Sequence, residues 1–175
     1  MTNTPKLPNG AQLDRWLVAI ARGDRDALAH LYQATGTAVF AYALSVVKNQ
    51  SDAEDVLHDT FVSVFHNAGE YRSQGKPMAW IITIARNHSY KLLKFRQRYV
   101  TLDEYDWLKS LPADPDDRLL LQQCLRALTD EERQIVVLHA VAGFRFREIG
   151  KFLGLNTSTT LSKYHRAIKK LRDRF

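Results

Sequence analysis

The chain has 175 residues, of which 45% are hydrophobic, and 25 Lys and Arg against 19 Asp and Glu give a formal net charge of +6. This length fits one ordinary globular domain or two small ones, and the composition is too rich in apolar residues for a disordered or fibrous chain. The single cysteine, Cys124, excludes an internal disulfide and a cysteine-rich zinc module.

Charge is distributed unevenly along the chain. Residues 1–98 hold 12 basic and 8 acidic side chains, residues 99–117 hold 1 and 6, and residues 118–175 hold 12 and 5. We therefore expect two basic bodies, joined by an acidic linker, that bind an anionic partner. The first residues lack a basic segment followed by an apolar stretch, and no run approaches the roughly 18 apolar residues that span a bilayer. These features predict a cytoplasmic protein without membrane insertion.

Apolar residues recur at helical spacing through almost every long segment, which predicts an all-α fold of two small helical domains. In the first body we expect helices over 11–22 and 26–47. Ser51 and Glu54 form a capping-box pattern that predicts a helix from residue 52. Its buried face is predicted to hold Ala53, Val56, Leu57, Phe61, Val64, Phe65 and Ala68. The opposite stripe holds Asp52, Asp55, Asp59, Val62 and His66.

Residues 69–77 are rich in turn formers and predict a loop that leads into a long helix over 78–98. The apolar stripe of that helix comprises Ile81, Ile84, Ala85, Leu92 and Phe95. A neighbouring face carries Trp80, Asn87, Lys91, Lys94 and Arg98. An aromatic and basic face beside a loop with Arg72 and Lys76 suits a single nucleic-acid strand. Trp80 alone is more typical of a core residue than of a stacking platform.

The second body begins with helical signals after the linker. Thr129 and Glu132 form a capping box, Gly143 and Gly154 end helical segments, and Asn156 is the expected N-cap of a final helix to residue 174. Together these segments predict a helix-turn-helix unit. The core side of the last helix is predicted to hold Leu161, Tyr164, Ile168, Leu171 and Phe175. Its outer face is predicted to hold Thr159, Lys163, Arg166, Lys170 and Arg174, which suits the major groove of DNA or, alternatively, an ordinary solvated surface.

Catalytic chemistry has little support in the sequence. Asp55 and His58 have a spacing that a metal site could use, but a second matching pair of ligands is missing from the pattern. The chain contains neither a nucleophile motif nor a phosphate-binding glycine loop. We therefore expect no enzyme, no metal and no cofactor.

Three blocks in order resemble the extracytoplasmic-function (ECF) group of the sigma-70 family, the specificity subunits of bacterial RNA polymerase. DAEDVLHDTFVSVF at 52–65 resembles the polymerase-binding helix of region 2, and MAWIITIARN at 78–87 resembles its promoter-melting helix. The segment 128–172 resembles the helix-turn-helix of region 4. The resemblance implies a region 2-like domain at 1–98, a linker at 99–117 and a region 4-like domain at 118–175.

The resemblance also implies partners and residue roles. Core RNA polymerase would bind Asp52, Asp55, Asp59 and Val62. The single-stranded minus-ten element of promoter DNA would bind Arg72, Ser73, Lys76, Trp80, Asn87, Lys91, Lys94 and Arg98. The duplex minus-thirty-five element would bind Ser158, Thr159, Ser162, Lys163, Arg166 and Lys170. An anti-sigma factor is a further partner for which the resemblance leaves room.

Two alternatives share part of this pattern. A ligand- or phosphorylation-controlled transcription regulator would keep the helix-turn-helix but would need a sensor in the first half, whereas residues 1–98 are helical throughout by pattern. A helical nuclease would need an acidic metal cluster, which incubation with labelled DNA and magnesium would expose.

Overall fold

The computed structural model describes residues 8–73, 75–96 and 127–173. Within these ranges the regular structure is helical, which confirms the all-α fold class. The helices are α1 (Gly10–Ala21), α2 (Arg25–Val47), α3 (Gln50–Asn67), α4 (Pro77–Arg96), α5 (Asp130–Ala140), α6 (Phe146–Leu153) and α7 (Thr157–Arg172), with a short 3-10 turn at Ala68–Glu70. The predicted linker at 99–117 lies outside the described residues.

Helix α2 is the centre of the fold. It packs against α1, α3, α4 and α5. Its C-terminal half is buried around most of the circumference, including Tyr42, Val46 and Val47. A helix that is apolar on all sides must be surrounded by other helices, and this is why the first four helices form a bundle around α2.

The start of α3 differs from its prediction. Asn49, rather than Ser51, is the N-cap, and its side chain accepts a hydrogen bond from the Asp52 amide at 3.0 Å. The helix therefore begins at Gln50, two residues earlier than predicted. Asparagine caps a helix as well as serine does, so Asn49 could take the N-cap position that the Ser51–Glu54 pattern predicts for Ser51.

The last three helices form the helix-turn-helix that the sequence predicts. Thr129 and Glu132 make the expected capping box, and Asn156 caps α7 by accepting from the Thr159 amide at 2.7 Å. Gly154 ends α6 with a φ of 72°. A Cβ at Gly150 would lie 2.7 Å from the Leu155 carbonyl oxygen, so this position needs glycine for the turn to pass closely over α6.

The buried sides of α4 and α7 are rotated from their predicted phases. Phe95 is 64% exposed and Leu161 is 38% exposed, although both were predicted to be buried. Phe175 lies outside the described residues. On α4 the predicted Ile81 and Ala85 are buried, together with Ile82 and Ser89, and on α7 the buried residues are Thr160 and Ala167. The contact line of α7 therefore consists of small residues, which a search for large apolar residues passes over.

The two bodies are in contact with each other. Helix α5 lies along α2, and apolar residues of α5–α6 such as Ile135, Leu138 and Ile149 belong to the same buried cluster as Leu31 and Val39 of α2. Lys76, one of the predicted minus-ten residues, lies beside this contact, since its ammonium is 3.8 Å from a carboxylate oxygen of Glu148 on α6.

Candidate functional site

The exposed side of α3 is an acidic surface with an apolar centre. Asp55 and Asp59 are exposed, and Val62 on the same side is 42% exposed. Asp52 does not belong to this surface, which corrects its assignment. It is buried and its Oδ1 lies 2.6 Å from a guanidinium nitrogen of Arg96 on α4. The α3 surface is therefore Asp55, Asp59 and Val62.

The environment of Asp52 explains its electrostatics. Burial raises the pKa of the Asp52 carboxyl above its ordinary value, the Arg96 charge opposes this, and the Asp55 charge adds to it. Within the described part of the chain, no group donates a hydrogen bond to Oδ2 of Asp52. Asp52 thus anchors α4 to α3 with one of its oxygens.

An apolar groove runs beside the α3 surface, between α2 and α3. It has a volume of about 550 Å³, and Tyr32 at its rim is 46% exposed. Its apolar lining consists of Leu28, Ala29, Tyr32, Phe61, Val62 and Phe65. Since Val62 belongs both to the groove and to the α3 surface, the two form one continuous face with charge on one side and apolar area on the other.

Helix α4 presents a second candidate surface, which we name the α4 stripe: Trp80, Asn87, Lys91 and Lys94. Asn87, Lys91 and Lys94 are exposed, whereas Trp80 is half-buried. The Trp80 ring centroid lies 5.1 Å from that of Tyr71, whose hydroxyl donates to Asp14 at 2.5 Å. Trp80 therefore combines a packing role with a partly open ring.

The loop before α4 continues this surface. Arg72, Ser73 and Lys76 are exposed. The Lys76 ammonium lies 3.8 Å from a carboxylate oxygen of Glu148 on α6. Arg98, the last residue predicted for the minus-ten contact, lies outside the described residues. The predicted loop residues are thus exposed immediately before the N-terminus of α4.

The predicted outer face of α7 is only partly exposed. The Lys163 ammonium lies 2.8 Å from a Glu131 oxygen, and the Lys170 ammonium donates to both oxygens of Glu132 at 2.9 and 2.8 Å. Both acids lie on α5, and Glu132 is buried. The ammonium groups of Lys163 and Lys170 therefore pair with acids of α5, although the Lys170 side chain remains 41% exposed, and this corrects their assignment to an unpaired outer face.

Glu132 is held in place by several donors at once. Burial alone would raise the pKa of its carboxyl, but hydrogen bonds from Lys170 and from the Thr129 backbone outweigh burial and lower the pKa. The Lys170–Glu132 pair therefore joins α7 to the N-terminus of α5 and is part of the framework of the helix-turn-helix.

The surface that α7 does expose is shifted by about one residue around the helix. Thr159 is half-buried, and its neighbour Ser158 is exposed. We name as the α7 face the exposed residues Ser158, Ser162, His165, Arg166, Lys169 and Arg172, which lie on the same side as the exposed Leu161. The sequence analysis missed His165, Lys169 and Arg172. Small residues at 160 and 167, seven positions apart, are the signal that could have identified the covered side and placed these three opposite it.

Within the described ranges, no group of three or more His, Cys, Asp or Glu side chains is arranged to hold a metal ion. Across the same ranges, no helix combines the length and apolar composition required to cross a bilayer.

Two family models match the chain in the order that the sequence resemblance implies. Sigma-70 region 2 matches residues 31–99, and Sigma-70 region 4 matches residues 118–171. Together they cover most of the chain and include α3, α4 and the helix-turn-helix up to residue 171.

Individual relatives match over nearly their whole length. The chain is 30% identical to the ECF RNA polymerase sigma factor SigK of Mycobacterium ulcerans, over 92% of each chain. It is 33% identical to the RNA polymerase sigma factor CarQ of Myxococcus xanthus, over 86% of this chain and 90% of that one. The solved structure of the sigma factor RpoE of Bartonella quintana, in complex with the anti-sigma factor NepR, has the same fold. It shares 23% identity with a TM-score of 0.66, over 83% of this chain and 94% of that chain.

Proposed function

The chain belongs to the ECF group of the sigma-70 family, and from that premise we propose how its surfaces share the work of transcription initiation. As a member of this family it binds core RNA polymerase and promoter DNA and directs the polymerase to promoters, as an initiation factor rather than an enzyme. We assign polymerase binding and minus-ten recognition to 1–98, minus-thirty-five recognition to 118–175, and the connection to 99–117.

Polymerase binding is assigned to Asp55, Asp59 and Val62 of α3. Exposed acids around an apolar centre suit a basic helical partner, because the charges steer the encounter and the apolar contact holds it. The apolar groove next to Val62 extends the area that such a partner would cover. Asp52 contributes by fixing α3 to α4, not by touching the polymerase.

Single-stranded minus-ten DNA is assigned to the α4 stripe and the loop before it. Exposed Lys91 and Lys94 follow a phosphate backbone at one-turn spacing, and Asn87 offers an amide to a base edge. Arg72, Ser73 and Lys76 in the loop would contact an unstacked base. Trp80 closes the end of the stripe with the open part of its ring.

The minus-thirty-five element is assigned to the α7 face. The second helix of a helix-turn-helix enters the major groove with its N-terminal residues at base edges. Ser158, Ser162 and Arg166 occupy this position, while Lys169 and Arg172 lie further along, where phosphates are in reach. Lys163 and Lys170 do not contact DNA in this proposal; their ion pairs with Glu131 and Glu132 hold α7 against α5.

Two further assignments come from the relatives. A chain of similar fold is bound by an anti-sigma factor, and we propose that a protein of this class also binds this chain. RNA polymerase and promoter DNA are found in the bacterial cytoplasm, so we place the chain there.

The observation that carries this proposal is the separation of an acidic surface on α3 from cationic surfaces on α4 and α7. The test measures the affinity of the chain for core polymerase, and then run-off transcription from a promoter selected by the chain. Replacing both Asp55 and Asp59 by Lys should reduce binding to core by about tenfold, because two steering charges are reversed. Glu54→Lys, an exposed acid about 100° around the same helix, is the matched control. Equal losses in both proteins would contradict the assignment.

A further inference from the structure

Leu161 of α7 is a large apolar side chain that the second body leaves exposed. Its exposed fraction is 38%, whereas every other large apolar side chain among the described residues 127–173 is buried or half-buried. Tyr164, one turn later on the same helix, packs against the buried cluster, but Leu161 belongs neither to that cluster nor to the half-buried residues packed on it. The Leu161 side chain is therefore available to a binding partner.

The position of Leu161 on α7 places it at the edge of the α7 face. It is the fifth residue of the helix and so lies near its N-terminal end. At about 100° per residue, Leu161 lies about 60° from Ser158 and about 40° from His165 around the helix axis. Both of these residues are exposed members of the α7 face. A partner that covers the N-terminal half of this face would therefore also cover Leu161.

The beginning of α7 suits a close approach to base edges. Its first six residues are uncharged, and five of them have short side chains that carry a hydroxyl group: Thr157, Ser158, Thr159, Thr160 and Ser162. Leu161 is the remaining one, and its side chain extends furthest from the helix axis. The exposed cations of the α7 face begin only at Arg166. Leu161 is thus an apolar projection among hydroxyl groups, in the part of a recognition helix that contacts bases rather than phosphates.

The major groove offers one kind of base edge that suits such a side chain. Thymine carries a C5-methyl group in this groove, whereas the characteristic groups of adenine, guanine and cytosine there are hydrogen-bond donors and acceptors. A leucine against those polar groups would displace their water without replacing its hydrogen bonds. Contact with the methyl group instead buries apolar area on both partners. An exposed leucine in this position therefore favours thymine over the other three bases.

We infer that Leu161 is a specificity residue that contacts the C5-methyl group of a thymine in the minus-thirty-five element. This inference rests on the proposed function, since it requires α7 to enter the major groove. Ser158 and Ser162 then contact the polar base edges beside this thymine, and Arg166 contacts a base further along the groove. The apolar contact adds a sequence requirement that the hydroxyl groups and cations of the α7 face do not impose.

Deoxyuridine tests this contact, because it differs from thymidine only in lacking the methyl group and forms the same base pair. The complex of the full chain with core polymerase first selects its minus-thirty-five element from randomised promoter duplexes. Each thymine of the element is then replaced singly by deoxyuridine, and the affinity for every duplex is measured for the wild type, Leu161→Ala and Ser162→Ala. Ser162→Ala is the matched control, because it alters an exposed neighbour on α7 and leaves Leu161 in place.

We expect one deoxyuridine substitution to weaken binding of the wild type about fourfold, the effect of removing one buried methyl group. The same substitution should leave the affinity of Leu161→Ala unchanged. Ser162→Ala should bind the element more weakly than the wild type but should keep the fourfold ratio between thymine and deoxyuridine.

Three results would overturn the inference. They are a selected element without thymine, a ratio near one at every thymine for the wild type, and an undiminished ratio in Leu161→Ala, since another group would then contact the methyl. In each of these cases the complex still binds the duplex, so the proposed function survives. A complex that binds no minus-thirty-five duplex would instead contradict the proposed function, and the inference with it.

Discussion

Helices α4 and α7 both carry cations along one side, and each commits one cation near its C-terminal end to a buried carboxylate of the neighbouring helix. Arg96 of α4 binds Asp52 of α3, and Lys170 of α7 binds Glu132 of α5. The two carboxylates respond oppositely: the pKa of Glu132 is lowered and that of Asp52 is raised. Glu132 accepts hydrogen bonds on both oxygens, whereas described groups donate to only one oxygen of Asp52.

The difference shows that a basic stripe does not by itself identify the cations that reach DNA. On α4, Lys91 and Lys94 are exposed, and the pairing cation, Arg96, lies two residues after Lys94. On α7, two of the cations on the predicted stripe are directed at α5 acids. Acids on the neighbouring helix determine which cations remain available to bind DNA, and these acids are far from the cations in sequence.

The largest expected effect is on the framework pair. Lys170→Ala should lower the free energy of unfolding by about 2 kcal/mol, because it leaves the buried Glu132 charge without its main partner. The estimate lies below the usual cost of breaking a buried pair since the Lys170 side chain is 41% exposed. Thermal unfolding followed by circular dichroism measures this loss.

The control for that experiment is Lys169→Ala, the exposed neighbour on the α7 face. It should leave the unfolding transition within about 0.5 kcal/mol of the wild type while weakening duplex binding. If Lys169→Ala and Lys170→Ala instead had the same effects on both stability and DNA binding, the distinction between framework and exposed cations on α7 would be wrong.

The second prediction compares DNA contacts on α7. Arg166→Ala should weaken binding to the cognate minus-thirty-five duplex by about 1–3 kcal/mol and should weaken binding to a scrambled duplex less, because arginine at a base edge distinguishes sequences. Lys163→Ala should weaken binding to either duplex by less than about 0.5 kcal/mol, since the Lys163 ammonium already pairs with Glu131. Fluorescence anisotropy on both duplexes at two salt concentrations measures the difference. If Lys163→Ala weakened duplex binding more than Arg166→Ala, Lys163 would contact the DNA as the sequence predicts, and the assignment of recognition to the α7 face would be wrong.

Helix positions and caps were predictable because their signals are local. Thr129 and Glu132 lie three residues apart and cap one another, so the sequence alone contains the whole interaction. Even here the N-cap of α3 is Asn49 and not the predicted Ser51, because the cap position depends on the backbone geometry just before the helix.

Rotational phase and ion pairing were not predictable in the same way. Leu161 is exposed while Thr160 is buried, because α7 packs through small residues beside the turn that Gly150 permits. The contacts of Asp52 with Arg96 and of Glu132 with Lys170 join residues about forty positions apart. No helical wheel of a single segment contains such contacts, and for this reason three cationic or acidic assignments changed in the structure.

The smallest expected effect concerns the opposite pKa shifts of the two carboxylates. A carboxyl whose folded pKa is lowered, such as Glu132, stabilises the fold above its unfolded pKa, and this contribution is lost as the pH falls through the folded value. A carboxyl whose folded pKa is raised, such as Asp52, favours the folded state while it is protonated, and that contribution is lost as the pH rises through the folded value.

Neutral isosteres of the two acids should therefore change stability in opposite directions at neutral pH. At about pH 7, Glu132→Gln should lower the melting temperature, whereas Asp52→Asn should raise it slightly, because the buried charge is removed and the Asn oxygen can still accept from Arg96. The difference for Asp52→Asn should shrink as the pH falls through the raised pKa of Asp52, whereas the difference for Glu132→Gln should persist to lower pH, because the lowered pKa of Glu132 keeps this carboxyl ionised there. Melting curves of the three proteins across a series of pH values measure the effect. Asp52→Asn could instead lose as much stability at pH 7 as Glu132→Gln does. The ion pair with Arg96 would then outweigh the cost of burying Asp52, and both carboxylates would stabilise the fold in their ionised form.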